Sequence, residues 1–259
     1  MGLIVLPEAR TRQPQTLVGA NPYWCQRGLK SLYSLVPGIW QINQVTGLLG
    51  GAQEGTGITF VNGKLRTPGV TSNGARLDHG LALNIALPIT LVVGWTQLSG
   101  SVSWSLLSRS TNNWNGWYSQ GTAVKTSDNN SFDGAVDMLG GGSYAICHAN
   151  ASSLKGASTT TLVQDTTATA PTIVGNQAVY LGWAQRGSSQ DNPAVAEFTH
   201  FGALQADLDF AELRSLAANP WQLWAPEPRR LWAPSAAYVA PPVGTLGQFD
   251  PEMRLAAWF

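Results

Sequence analysis

The sequence predicts an all-β, two-sheet sandwich with one short C-terminal helix and extended terminal arms. Three observations carry this. Apolar residues alternate with period two through the middle of the chain, the mark of half-buried strands. Turn clusters separate these runs: Asn62-Gly63, Asn73-Gly74, Asn115-Gly116, Gly140-Gly141-Gly142 and Gly187-Ser188-Ser189. Asn-Gly pairs accept the positive φ that tight hairpins need. A single helical signal stands near the C-terminus, between Asp209 and Asn219. At 259 residues, with 28 Gly and 15 Pro, the chain suits one large domain of many short strands.

Taken in order, residues 1–21 are polar and Pro-punctuated, carry Arg10 and Arg12 and show no apolar period, so an extended arm is expected. Residues 22–224 form the sandwich, opening with a strand within Tyr23 to Leu35. Leu81, Leu83, Ile85 and Leu87 alternate with Ala82, Asn84 and Ala86, and after Pro88 Ile89, Leu91, Val93 and Trp95 alternate with Thr90, Val92, Gly94 and Thr96. Val102, Trp104 and Leu106 follow, then Tyr144 to His148, Thr159 to Val163, Val179 to Trp183 and Ala196 to Leu204. Asp209 is placed to cap a helix through its carboxylate, and Glu212 completes a capping box. Phe210, Leu213, Leu216 and Ala217 share one helical face, and Pro220 stops the helix.

The closing segment, Ala196 to Leu204 followed by Phe210-Ala211-Glu212-Leu213-Arg214-Ser215-Leu216 and Asn219-Pro220-Trp221, resembles the end of laminin-G-like, concanavalin-type domains. Its Asn-Pro-Trp ending, followed by Gln222-Leu223-Trp224, resembles the variant found in bacteriophage and prophage structural proteins. Gly57 to Gly63, Pro88 to Trp95 and Val179 to Gly182 resemble further strands of the family in the right order. The resemblance covers roughly Tyr23 to Trp224 and implies a concanavalin-like jelly roll.

Residues 225–259 form a Pro- and Trp-rich tail in which Leu223-Trp224-Ala225-Pro226 recurs as Leu231-Trp232-Ala233-Pro234. Four of the eleven Trp residues lie in the last thirty-nine residues. Too Pro-broken to build a core, the tail is expected to bury its aromatics on its own sandwich or on another subunit, where Trp and Arg are favoured anchors.

Only 12% of residues are charged and the formal net charge is zero, which argues against nucleic-acid binding and against recruitment to anionic membranes. The start lacks the basic leader and long apolar run of a signal peptide, and polar interruptions between Leu81 and Trp95 exclude a membrane-spanning helix there. Cys25 and Cys147 are expected to be two buried free thiols. Asp207 to Glu212 mimics a glycosidase spacing, but Asp209 and Glu212 already have a structural use in the cap, so no enzyme activity is expected. His79, His148 and His200 have no zinc spacing and no serine elbow, and are expected to pack or hydrogen-bond. Asp128, Asp133 and Asp137 match no defined calcium loop, and no cofactor or metal is predicted.

The best ligand-binding candidate is the stretch holding Asn112, Asn113, Trp114, Asn115, Trp117 and Tyr118, where aromatic faces stand beside amides as sugar recognition requires. Packing of Trp117 or Tyr118 into the sheet is the competing expectation. By resemblance, the chain is expected to be a phage structural protein, either a capsid decoration or head-fibre subunit or a tail component. It would assemble in the host cytoplasm into the virion as a homo-oligomer with other virion proteins. Arg10 and Arg12 of the arm, with Trp232, Trp258 and Phe259 of the tail, would then hold neighbouring subunits. The alternative is a lectin-like module that binds a carbohydrate or receptor, including a host-surface glycan.

Overall fold

The computed structural model describes residues 19–82, 85–108, 114–128, 131–137, 142–150, 153–168, 171, 175, 178–186 and 189–224, and side chains throughout except at 128, 131–137, 186 and 189. The arm residues Arg10 and Arg12 and the tail residues Trp232, Trp258 and Phe259 therefore lie outside the described residues, as do Asn112 and Asn113.

A short helix that the sequence did not announce, Pro22–Gln26 (α1), comes first, and the opening strand expected within Tyr23 to Leu35 follows it. Asn21 caps it by accepting the Tyr23 N–H at 3.0 Å, and Pro22 supplies a φ already suited to a first turn. The strands then run Leu29–Ser34 (β1), Ile42–Asn43 (β2), Leu48–Leu49 (β3), Gly51–Glu54 (β4), Thr59–Val61 (β5) and Lys64–Arg66 (β6). Gly74–Asp78 (β7), Ile89–Gly100 (β8), Trp104–Leu107 (β9), Gly116–Gln120 (β10), Ala123–Asp128 (β11) and Ser131–Asp137 (β12) follow. Gly142–Asn150 (β13), Ser153–Ala157 (β14), Leu162–Asp165 (β15), Ala178–Leu181 (β16), Ala184–Arg186 (β17), Ser189–Asp191 (β18) and Ala194–Leu204 (β19) complete the set. The helix Phe210–Ala218 (α2) and a 3-10 turn at Pro220–Leu223 close the described chain.

Two antiparallel sheets stack face to face in an all-β jelly-roll sandwich. The back sheet has the order β15-β14-β13-β8-β19-β6-β5, with β1 pairing β19 beside β6. The front sheet has the order β12-β11-β10-β9-β16-β7-β4. Alternation decides which side chains meet between them. Leu91, Val93 and Trp95 of β8 and Phe198, Phe201 and Ala203 of β19 face Trp104, Leu106, Trp117 and Val179 of the front sheet. The remaining positions of the back sheet build a second core. Leu32, Val92, Ala145 and Cys147 are covered there by Trp24 of α1, Leu213 and Leu216 of α2, and Leu223 and Trp224. This second core is why so short a helix can form: its apolar stripe has a sheet to cover.

The capping box is present as the spacing predicts. Asp209 Oδ1 accepts the Glu212 N–H at 2.8 Å, and Glu212 Oε2 accepts the Asp209 N–H at 3.1 Å. Glu212 also pairs with Arg27, tying α1 to α2. Asp209→Ala is expected to cost about 1 kcal/mol, read as a lower urea midpoint with an unchanged slope. An unmoved midpoint would show that α2 is held by its packing alone.

Asn62-Gly63 forms the expected tight hairpin between β5 and β6, with φ of 51° and 76° at the two central residues. Two expectations need correction. Leu81, Ile85 and Leu87 belong to no named strand, although Ile85 is buried and the other two pack on the core. Leu83 lies outside the described residues, and Pro88 has no N–H to offer a ladder. Of the two free thiols, Cys147 is buried but Cys25 is exposed, because Trp24 takes the inward position of α1.

Candidate functional site

Direct register aligns one row of residues across the outer face of the front sheet: Tyr118 opposite Ser105, Ser105 opposite Tyr180, Tyr180 opposite Arg76, and Arg76 opposite Ala52. The strand Gly74–Asp78 sends Ala75 and Leu77 into the core, which leaves Arg76 and Asp78 outward. At this end of the row lies a cleft of about 330 Å³ lined by Leu49, Ala52, Arg76, Asp78, Ala178 and Tyr180.

The cleft offers donors, acceptors and an apolar wall together. Arg76 is half-exposed and pairs loosely with Glu54, at 3.4 Å, so its guanidinium keeps donors for a ligand. Asp78 accepts the Gly80 N–H at 2.9 Å and is itself exposed, which fixes one carboxylate oxygen and leaves the other facing solvent. Its carbonyl accepts the Tyr33 hydroxyl at 2.8 Å, anchoring this strand end to the core. Burial, with the nearby Asp78 charge, pushes the Tyr33 phenol upward, so it stays a neutral donor. Leu49, on the short β2–β3 hairpin, is 79% exposed and forms the apolar rim.

A second pocket of about 230 Å³ sits on the outer face of the back sheet, where the helical cover ends. Thr96, Glu197, Ser143 and His200 contribute its floor, and Ala217, Ala218, Pro220 and Trp221 its wall. His200 is 2% exposed, and burial pushes its imidazole down to about 3, so it is neutral. Its ring nitrogens meet Ser143 Oγ at 3.2 Å and Thr199 Oγ1 at 2.9 Å. A neutral imidazole so resistant to protonation is a poor general base. Its partner at Nδ1 is a hydroxyl rather than a carboxylate, so the cluster serves packing and hydrogen bonding, as expected for His200. The arrangement depends on Gly94, where a Cβ would collide with Thr199 Oγ1 and the His200 ring.

The predicted sugar loop does not present its aromatics. Trp117 is 1% exposed in the inter-sheet core and donates its Nε1–H to His148 Nδ1 at 3.0 Å. Tyr118, pointing the other way, is 2% exposed and packs with Val102, Leu107, Ala184 and the half-buried Trp114, whose ring lies 4.7 Å away. Neither ring has a face free for stacking, so both follow the packing expectation and not the ligand-binding one. Trp114 and Asn115 are half-buried. His79 accepts the Leu81 N–H at 3.0 Å, as an ordinary buried histidine does. Among the described residues no group of three or more His, Cys, Asp or Glu side chains could hold a metal ion; the side chains of Asp128, Asp133 and Asp137 lie outside that description.

Sequence reasoning passed over Arg76, Asp78, Lys64 and Glu197. A usable signal was there: in a chain with 12% charged residues, Arg76 and Asp78 alternate with Ala75 and Leu77 on one short strand.

No protein-family profile matches the chain, and no curated protein matches it in sequence. Solved structures do match its fold. Domain 4 of an extracellular arabinanase from Geobacillus stearothermophilus, in complex with arabinotriose, shares 15% identity at a TM-score of 0.52, over 73% of this chain and 98% of that one. A mutant Trypanosoma rangeli sialidase with trans-sialidase activity matches at 12% identity and TM-score 0.52, over 76% of this chain and 34% of the enzyme. Botulinum neurotoxin type C, whose cell entry depends on interaction with two ganglioside molecules, matches at 8% identity and TM-score 0.52, over 73% of this chain. The chain spans 50% of that toxin structure. At such identities the likeness is one of fold alone: the chain is a β-sandwich, as the matched parts of these proteins are.

Proposed function

We propose that the protein is a carbohydrate-binding module that holds a glycan in the front-sheet cleft formed by Leu49, Ala52, Arg76, Asp78 and Tyr180. The observation that carries this is the cleft itself, in which a guanidinium with spare donors and a carboxylate with a free oxygen stand outward on one strand beside an apolar rim. Sugars present hydroxyls that both donate and accept, with C–H surfaces between them, and this set matches both demands. The match to a domain solved with arabinotriose supports the reading without choosing the sugar. Binding without hydrolysis is part of the proposal, because Asp209 and Glu212 are committed to the helix cap.

The phage-virion expectation rests on the sequence resemblance alone, and its docking residues Arg10, Arg12, Trp232, Trp258 and Phe259 lie outside the described residues.

The test is a glycan array probed with the parent chain and with Arg76→Ala. The parent is expected to retain a defined subset of glycans, and the variant to lose affinity by about tenfold or more, as removal of a charged hydrogen bond implies. Arg76 is half-exposed, so the variant is expected to fold normally. A parent chain that retains no glycan sinks the proposal, and unchanged affinity in Arg76→Ala removes the cleft from it.

A further inference from the structure

The back-sheet pocket has features that the fold alone does not require. Trp221 is only half-buried, although its neighbours Trp224 and Leu223 are fully covered. It is nevertheless held rigidly. Its ring meets Trp224 at 5.1 Å and His200 at 5.3 Å, and Gln222 beside it bonds Ser215 Oγ at 3.1 Å and the Asn219 carbonyl at 3.0 Å. The Gln222 carbonyl in turn accepts Asn21 Nδ2 at 3.0 Å. A fixed aromatic surface at a pocket wall is a preorganised platform for apolar C–H faces.

Within the same pocket stands a donor beside an acceptor. Arg66 holds Glu197 Oε1 through Nε at 3.1 Å and through Nη2, while Lys64 Nζ lies 3.6 Å from Oε2. The Arg66 bond, with both cations, holds the Glu197 carboxyl below its usual range, so it is ionised. Oε2 thus keeps lone pairs, and Lys64, whose side chain is 41% exposed, keeps ammonium protons to donate. A cationic ligand would meet two cations here, and an anionic one would meet the carboxylate. A neutral polyhydroxylated ligand meets neither objection. Two adjacent ring hydroxyls suit the pair, one donating to Oε2 and the other accepting from Lys64. The cavity, about 230 Å³, falls below the usual range for drug-sized ligands and suits one ring.

We propose that this pocket is a second carbohydrate site, on the opposite sheet from the first, which takes a single neutral pyranose residue by its vicinal diol between Lys64 and Glu197 with its C–H face on Trp221. It rests on the reading of the protein as a carbohydrate-binding module, but on a separate surface, so the two can fail separately. Carrying both sites, the module would engage two sugars at once and gain avidity for densely glycosylated surfaces.

The test titrates methyl β-galactopyranoside, methyl α-mannopyranoside and methyl β-glucopyranoside into the full chain, labelled for ¹H–¹⁵N correlation spectra. The indole N–H signal of Trp221 is assigned by its loss in Trp221→Phe. At least one glycoside is expected to shift that signal saturably, with a dissociation constant on the order of 1 mM. Lys64→Met is expected to weaken this binding by about tenfold, while Arg76→Ala leaves it unchanged. A Trp221 signal unmoved by all three glycosides, or a shift undiminished by Lys64→Met, overturns the proposal. If only signals around Arg76 move, the second site falls and the first stands. If nothing moves, the second site falls and the glycan array decides the first.

Discussion

Trp117→Ala is expected to destabilise the protein by about 3–5 kcal/mol through loss of a large buried side chain, with ~1 kcal/mol more for the acceptor left unpaired at His148 Nδ1. Trp117 is among the largest fully buried side chains, and it sits in the core between the sheets. Domains of this kind have total stabilities of about 5–15 kcal/mol, so such a loss consumes a large part of the margin. Trp117→Phe keeps an aromatic ring and removes the N–H, and is expected to cost markedly less. The measurement is urea unfolding of both variants beside glycan retention by the Phe variant. Core packing predicts a graded loss of stability with retention unchanged in Trp117→Phe. A Phe variant as stable as the parent but unable to retain glycan would return Trp117 to the ligand site.

Trp117 and Tyr118, for which the sequence offered both a ligand-binding and a packing role, show where a sequence stops being legible. Adjacent strand residues face opposite sides, so one of the two had to point inward. The other would have been a surface ring only if nothing covered that side. Val102, Leu107 and Ala184 cover it, and Ala184 is sixty-six residues further along the chain. No local pattern announces such a cover. The helix Phe210–Ala218 was legible for the contrary reason: its cap is a contact between Asp209 and Glu212, three positions apart. The hairpin at Asn62-Gly63 was equally local. The helix Pro22–Gln26 was local too, but Tyr23 and Trp24 favour strands by composition and hid the signal of Asn21 and Pro22. Both pockets draw on distant elements. Ala52, Arg76 and Tyr180 meet only because β4, β7 and β16 are neighbours in the front sheet. Lys64, Glu197 and Trp221 come together through the pairing of β6 with β19 and the return of the chain over the back sheet.

Acidification is expected to destabilise the protein well above the pH at which its carboxylates protonate, because two imidazoles are buried neutral on opposite faces of the back sheet. Burial pushes His148 down to about 4, against a weaker opposing interaction of its ring N–H with the Asn150 backbone carbonyl, and pushes His200 down to about 3. Trp117 donates to His148 Nδ1, so the His148 proton is on Nε2. In the unfolded chain both rings take up protons near the ordinary value of about 6.5. Between that pH and about 4 the unfolded state therefore binds more protons than the folded one, and stability falls as pH falls. Each group contributes a slope approaching about 1.4 kcal/mol per pH unit within this window and nothing above it. Glu197 and Asp207 are held low by Arg66 and by Lys155, and both add their own loss only below the ordinary carboxylate range, so the interval from pH 6 to pH 5 reports on histidine. Urea midpoints measured from pH 7 to pH 5 should be flat at first and then decline. His200→Gln, which retains hydrogen-bonding groups for Ser143 and Thr199 but cannot titrate, should remove about half of the slope that His148 and His200 together produce. Midpoints independent of pH across this range would mean that both rings titrate normally in the fold, and the tight cover of Trp221 and Trp224 over His200 would then have to open readily.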